Sequence, residues 1–366
     1  MFDFKKLKSL DWVLISVTIL VFAMGIIVIY STTSSSAGFD VARNQIINGV
    51  IGFLLMIFIA FLDYRSFKSF THVMYAVTVG LLLYVLVTGK ISHGATRWID
   101  LGFFQLQPSE IAKFVMVVVL AKYFSKKGER MADFSSIIVS LIYIGIPVLL
   151  VMAQPDLGTA MVLMAIWLGM ILATQVRKIY MLGLGLFTLI SMPFVFNFLK
   201  DYQKKRILIF LNPGSDPQGA GYNVLQSTIS IGSGKLFGRG LGHGPQSQLK
   251  FLPERYTDFA FAVLGEELGL AGGIILLALF VVMIVRILRV AKLSSDAFGS
   301  YLAIGVAVWI IFQIFINMGM NIGIAPITGV PLPLVSFGGS SVIAILFSFG
   351  LLQSVLIRNK KLNFRG

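Results

Sequence analysis

What most limits the fold of this chain is a repeated feature: apolar runs, each close to the roughly 20 residues that cross a bilayer. Ten are read, at about 12–30, 44–62, 72–89, 107–124, 136–153, 157–174, 179–197, 259–286, 299–318 and 340–357. In hydrocarbon each backbone N–H and C=O must be satisfied within the protein, so isolated runs of this length predict helices. The expected fold class is an all-α polytopic membrane protein with ten transmembrane helices. Composition agrees: 57% of the 366 residues are hydrophobic and 13% charged. A soluble core does not need so apolar a chain.

The net charge of +14 would suggest a nucleic-acid partner in a soluble protein. Here the charge follows the runs instead. With the N-terminus inside, the cytoplasmic segments hold 18 of the 30 basic residues. The short outer loops hold only Arg43, Lys90 and Arg97, and Lys113 lies within a run. The other eight fall in one long outer loop, 198–257, a length the positive-inside rule exempts. Both termini are therefore expected in the cytoplasm, with no nucleic-acid partner. Residues 1–366 read as a single membrane domain, with the long loop between the seventh and eighth spans. Lys5, Lys6 and Lys8 precede a first run too long for a signal-peptide core, so it reads as an uncleaved span. There is no cysteine, which excludes disulfides and thiolate chemistry. The histidines, His72, His93 and His243, have no metal-ligand spacing.

On this topology the unusual polar groups fall on the outer side. Glu110 and Lys113, just after Pro108, share a helix face at a spacing of three. Asp156 sits in the turn QPDLG, where it can cap the sixth span or face an outer site. Gln313, Asn317 and Asn321 form a stripe at intervals of four, which suits interhelical hydrogen bonding or a polar cavity. The stretch FLPERYTDFAFAVLGEELG (251–269) holds four of the chain's 16 acids: Glu254, Asp258, Glu266 and Glu267. Singly, each group has a structural explanation. Together they supply what a polar cavity open to the outside needs.

The long loop carries eight basic residues against Asp201, Asp216 and Glu254. KDYQKKRILIFLNP (200–213) reads as an interfacial amphipathic helix whose cations suit lipid headgroups or a pyrophosphate. GSGKLFGRGLGHG (232–244) does not match a P-loop and has no strand before it; a hinge or a phosphate-approaching backbone is expected.

RWIDLG and FQLQPSEIAK (97–113), QPDLGTA (154–160), NPGSDPQGAGYNVLQSTISIGSG (212–234), QSQLKFLPERYTDFAFAVLGEELG (246–269) and GVPLPLVSFGGSS (329–341) occur in order. Together they resemble the SEDS family (shape, elongation, division and sporulation), which polymerises peptidoglycan glycan strands. The resemblance spans almost the whole chain and is nearer the RodA-type elongation members than the FtsW-type division members. It implies an inverting glycosyltransferase that uses lipid II on the outer face of the bacterial cytoplasmic membrane. It also implies a class B penicillin-binding transpeptidase as partner. The family's essential acid falls on Asp258 of T-D-F, and Arg97, Trp98, Glu110, Lys113 and Asp156 fall on its other functional positions. Tyr256 stands where the family usually has His, and Ala260 where a larger apolar residue is usual.

Such a reaction needs a base for the attacking hydroxyl and positive charge for the departing pyrophosphate. Asp258 is the candidate base; Arg97, Lys113, Lys250 and the loop cations are candidates for the pyrophosphate. Trp98 can stack on a sugar or anchor at the interface, and Glu266 and Glu267 can make interfacial hydrogen bonds or line the cavity. A divalent cation, Mg²⁺ or Mn²⁺, can accompany pyrophosphate, although no ligand spacing demands one. The alternatives are a lipid II flippase and a non-catalytic scaffold for the transpeptidase.

Overall fold

The computed structural model describes residues 8–33, 39–88, 90–92, 95–100, 105–128, 131, 133–177, 179–180, 182–183, 185–186, 201–216, 219–249 and 251–362. Three long helices come first: α1 (Trp12–Thr33), α2 (Asp40–Phe61) and α3 (Tyr64–Thr88). A small antiparallel ribbon follows, β1 (Lys90–Ser92), β2 (Ala95–Asp100) and β3 (Gln105–Leu106), with β2 in the middle. Next come α4 (Pro108–Lys127), α5 (Phe134–Ala153) and α6 (Leu157–Leu172). The outer loop contributes α7 (Asp201–Leu211), α8 (Ala220–Ser233) and α9 (Pro245–Gln248). The chain then runs through α10 (Ala260–Leu293), α11 (Ala297–Asn321) and α12 (Gly339–Leu362).

Nine of the expected runs coincide with helices; the seventh, 179–197, lies largely outside the described residues. Seven described helices are long and apolar enough to cross a membrane. α6 is shorter, and α4 carries several charges. The ribbon departs from the all-α expectation. Its strands are too short for an alternating pattern to show in sequence, and they pair just outside the long helices.

In lipid, helices associate by close packing rather than by expulsion of water, so small residues mark their crossings. α2 and α12 cross in this way. A Cβ on Gly52 would stand 2.5 Å from Leu346, and one on Gly350 would stand 2.6 Å from the Met56 carbonyl. α11 packs against α4, α6 and α10. At the other end Asp11 caps α1 by accepting from Leu14 N at 3.0 Å. It also pairs with Arg286 of α10 at 2.6 Å, and its amide and carbonyl bond the Gln353 side chain of α12.

α10 is broken. Gly269 has φ +67 and ψ −165, a conformation essentially reserved for glycine. Residues 260–268 are therefore a separate segment ahead of the long remainder. The groups released at the break are satisfied by the glycine-rich stretch. Lys235 and Leu236 carbonyls accept from Leu270 and Ala271 amides at 2.9 and 3.0 Å. Arg239 and Gly240 amides donate to the Glu266 and Glu267 carbonyls at 3.0 and 3.1 Å. The expected hinge or phosphate loop is instead a plug in the broken helix, because a buried break needs partners for its backbone.

Candidate functional site

Asp258 lies two residues before α10, half-buried, in a segment held through its backbone. Its carbonyl accepts from Asn317 Nδ2 and Asn321 Nδ2, both at 3.1 Å. Asn317 Nδ2 also donates to Val330 O at 2.8 Å, and Asn321 Oδ1 accepts from Ala262 N at 3.2 Å. The polar stripe on α11 is thus a bracket: it fixes where α10 begins and where the Asp258 side chain leaves the backbone. On the other side, Ser336 Oγ donates to Thr257 O at 2.5 Å and Phe337 N donates to Tyr256 O at 2.8 Å. Gln45 of α2 holds that loop through Ser336 O and Gly338 N, at 3.1 and 3.2 Å.

The carboxyl itself makes no hydrogen bond among the described residues. Gly329, at φ +73, runs beside it, and a Cβ there would lie 3.6 Å from Asp258 Oδ2. Packing around the carboxyl pushes its pKa up from 3.8 to about 6, and the Glu254 charge adds to this. Arg206 and Arg97 oppose the rise, while Asp156 adds a smaller push upward. Four parts of the chain therefore meet around one carboxylate: α7, β2, the turn before α6, and the segment leading into α10.

Arg97 leaves β2 toward that turn. Its Nε donates to Gln154 O at 3.3 Å and its guanidinium also donates to Pro155 O. Trp98, half-buried, follows it in the strand, and alternation sends it to the opposite side. Asp156 caps α6, accepting from Thr159 N at 3.1 Å and Thr159 Oγ1 at 2.9 Å. The cap leaves it near Asp258 as a charge.

Glu110 and Lys113 do pair, at 2.6 Å, with both side chains almost fully enclosed. Lys113 Nζ lies 5.4 Å from the centre of the Trp309 ring. Trp309 precedes Asn317 by eight residues, about 12 Å along α11 at 1.5 Å per residue. The pair thus sits a layer below Asp258, deeper than the other polar groups placed on the outer side. Glu110 Oε2 and both polar atoms of Gln313 are buried without a partner among the described residues.

Of the two roles expected for Glu266, hydrogen bonding is the one its contacts show, not cavity lining or substrate contact. Its oxygens accept from Gln246 N at 2.9 Å and Ser247 N at 3.0 Å, at the start of α9. Glu267 accepts from Ser31 Oγ at 2.5 Å and Gly242 N at 3.1 Å. Both carboxylates anchor the outer loop. Lys250 lies outside the described residues. Among the described residues no three His, Cys, Asp or Glu side chains gather to hold a metal ion. Sequence reasoning assigned no role to Gln45, Gly329 or Ser336, although the last two lie in the motif GVPLPLVSFGGSS; for Gln45 the available signal was a glutamine inside an apolar run.

Known proteins resemble this chain over nearly its whole length. Residues 11–361 match the model of the cell cycle protein family FtsW/RodA/SpoVE. Peptidoglycan glycosyltransferase MrdB of Escherichia coli K12 is 38% identical, over 97% of this chain and 95% of that protein. Stage V sporulation protein E of Bacillus subtilis 168 is 37% identical, over 96% and 98%. A chain from a solved peptidoglycan synthase complex, described as coordinating polymerization and crosslinking, superposes with TM-score 0.83 at 29% identity, covering 96% and 98%. The Thermus thermophilus rod shape determining protein RodA superposes with TM-score 0.71 at 28% identity, covering 96% and 97%.

Proposed function

The chain belongs to the FtsW/RodA/SpoVE family, and from that premise we propose how its outer site works. It is a multi-pass membrane protein and a peptidoglycan glycosyltransferase of cell elongation. Its substrate is lipid II, a disaccharide on a polyprenyl pyrophosphate, met on the outer face of the bacterial cytoplasmic membrane. Ten spans with both termini inside place Asp258 on that face, and residues 1–366 act as one domain.

The acceptor hydroxyl attacks the anomeric carbon of the donor sugar, and the bond from that carbon to pyrophosphate breaks with inversion. Asp258 takes the hydroxyl proton. Arg97, Arg206 and Lys250 balance the charge of the leaving pyrophosphate, which needs no protonation. Trp98, on the other side of β2 from Arg97, anchors the strand at the membrane interface, and Asp156 sets the turn that holds Arg97. Glu110 and Lys113 hold α4 against α11 beneath the site, and Glu266 fixes the outer loop. A divalent cation would be carried in by the pyrophosphate and would add positive charge there; the described residues offer no cluster of carboxylates to hold one by themselves. A class B penicillin-binding transpeptidase is the partner that cross-links the product.

The observation that carries this reading is a carboxyl with no hydrogen bond among the described residues, its pKa raised to about 6 by its packing and acted on by the charges of Arg206 and Arg97. Such a group is roughly ten to one ionised at pH 7, yet is a stronger base than an ordinary aspartate. Purified protein given labelled lipid II forms polymer, and Asp258→Ala folds but forms none. Full activity in that variant overturns the assignment. Lipid II translocation without polymer in vesicles points to a flippase instead, and partner-dependent activity indifferent to Asp258→Ala points to a scaffold.

A further inference from the structure

A cavity of about 470 Å³ opens between α3, α4 and α5, toward the C-terminal end of α4. Its lining holds the cations Lys122, Lys126 and Lys127 of α4, with His72 of α3 beside them. Lys122 and Lys126, four residues apart, share a helix face. Lys68 lies close enough for its charge to act on Lys122. No carboxylate among the described residues lines the cavity, and none of these lysines is in an ion pair among the described residues. Gathering like charges around one space is unfavourable unless an anion enters it.

The other wall is aromatic and fixed. Tyr143 lies against Tyr75 and Tyr123, with ring centres 5.9 and 5.7 Å apart. The Tyr75 hydroxyl donates to Tyr143 O at 3.0 Å and the Tyr123 hydroxyl to Ser136 O at 3.1 Å. Lysines that merely reach for the membrane surface need no such chamber. On either side, α3 exposes Phe70, Val73 and Val77 and α5 exposes Ile138 and Ile142. These are apolar tracks along which hydrocarbon chains can lie.

We propose that this cavity binds the phosphate headgroup of an anionic phospholipid from the cytoplasmic leaflet. The cations take the phosphate, the tyrosines flank the glycerol, and the acyl chains lie against the exposed faces of α3 and α5. Basic pockets between transmembrane helices on this side of a membrane suit such headgroups. The leaflet follows from the orientation proposed above; the chemistry of the pocket does not depend on it.

The test is native mass spectrometry of the detergent-solubilised protein titrated with phosphatidylglycerol or phosphatidylcholine. Wild type retains phosphatidylglycerol at least tenfold more tightly than phosphatidylcholine. Lys122→Gln with Lys126→Gln loses that preference, whereas Arg289→Gln with Lys292→Gln, elsewhere on the same side, keeps it. Lys122→Arg with Lys126→Arg keeps the charge and also keeps the lipid, which separates charge loss from misfolding. Equal retention of both lipids by wild type, or full retention by the Gln pair, overturns the proposal. Displacement of phosphatidylglycerol by millimolar inorganic phosphate also overturns it, because the site then serves free phosphate. This readout is independent of glycan polymerisation, so it stands or falls apart from the reaction at Asp258.

Discussion

Asp258 is fixed through its backbone while its carboxyl stays unbonded, and both properties have measurable consequences. With a pKa of about 6, its base form is lost as the pH falls through 6 rather than through 4. The kcat/KM for polymerisation should therefore fall about tenfold per pH unit below 6; a plateau that persists to pH 4 contradicts the assignment. The same shift has a stability sign. The folded-state pKa lies above the ordinary 3.8, so the folded protein binds the extra proton between pH 3.8 and 6 and loses stability as pH rises through that window. Asp258→Asn removes that penalty. Its unfolding midpoint should exceed that of wild type above pH 6, and the gap should close below pH 4, while polymerisation is lost at both. Asp258 was singled out by the motif resemblance and not by its neighbours, whereas the Asp156 cap was legible in the sequence because it depends on residues within a few positions. Gly329 and Ser336 were not, because their importance comes from Asp258 and Thr257, more than seventy residues away.

At the scale of elements, the break in α10 and the buried pair on α4 carry the site. Gly269→Ala forces a side chain into a conformation only glycine accepts, with a Cβ crowded against the Leu236 carbonyl at 2.7 Å. The expected loss is about 1–3 kcal/mol, read as a lower thermal midpoint, together with loosening of loop 235–249. Lys113→Met leaves Glu110 as an unpaired buried acid and should destabilise by about 3–5 kcal/mol. Replacing both, Glu110→Gln with Lys113→Met, should recover much of that loss, since no charge then remains enclosed. A double variant as unstable as the single one would show that the pair does more than hold two helices together. The pairing was visible from a spacing of three; its depth was not, because depth is set by the contact of α4 with α11.

For the whole molecule, the orientation is the consequential claim, and the chain is well suited to testing it because it has no cysteine. Phe237→Cys, at an exposed position in the outer loop, should react with a membrane-impermeant maleimide in intact cells. Lys126→Cys should react only after permeabilisation. The reverse pattern inverts the topology and moves Asp258 to the wrong side for the proposed substrate. Hydropathy and the distribution of lysine and arginine were enough to reach the membrane class, the helices and the expected orientation. Each of these is a transfer free energy summed over neighbouring residues, so the linear order contains it. Folding alone decided that the glycine-rich stretch plugs a broken helix and that Glu266 and Glu267 anchor a loop. Folding likewise brought β2, α7 and the α6 turn to one carboxylate. Those outcomes depend on backbone groups finding partners tens to hundreds of residues away, and local composition carries no term for that.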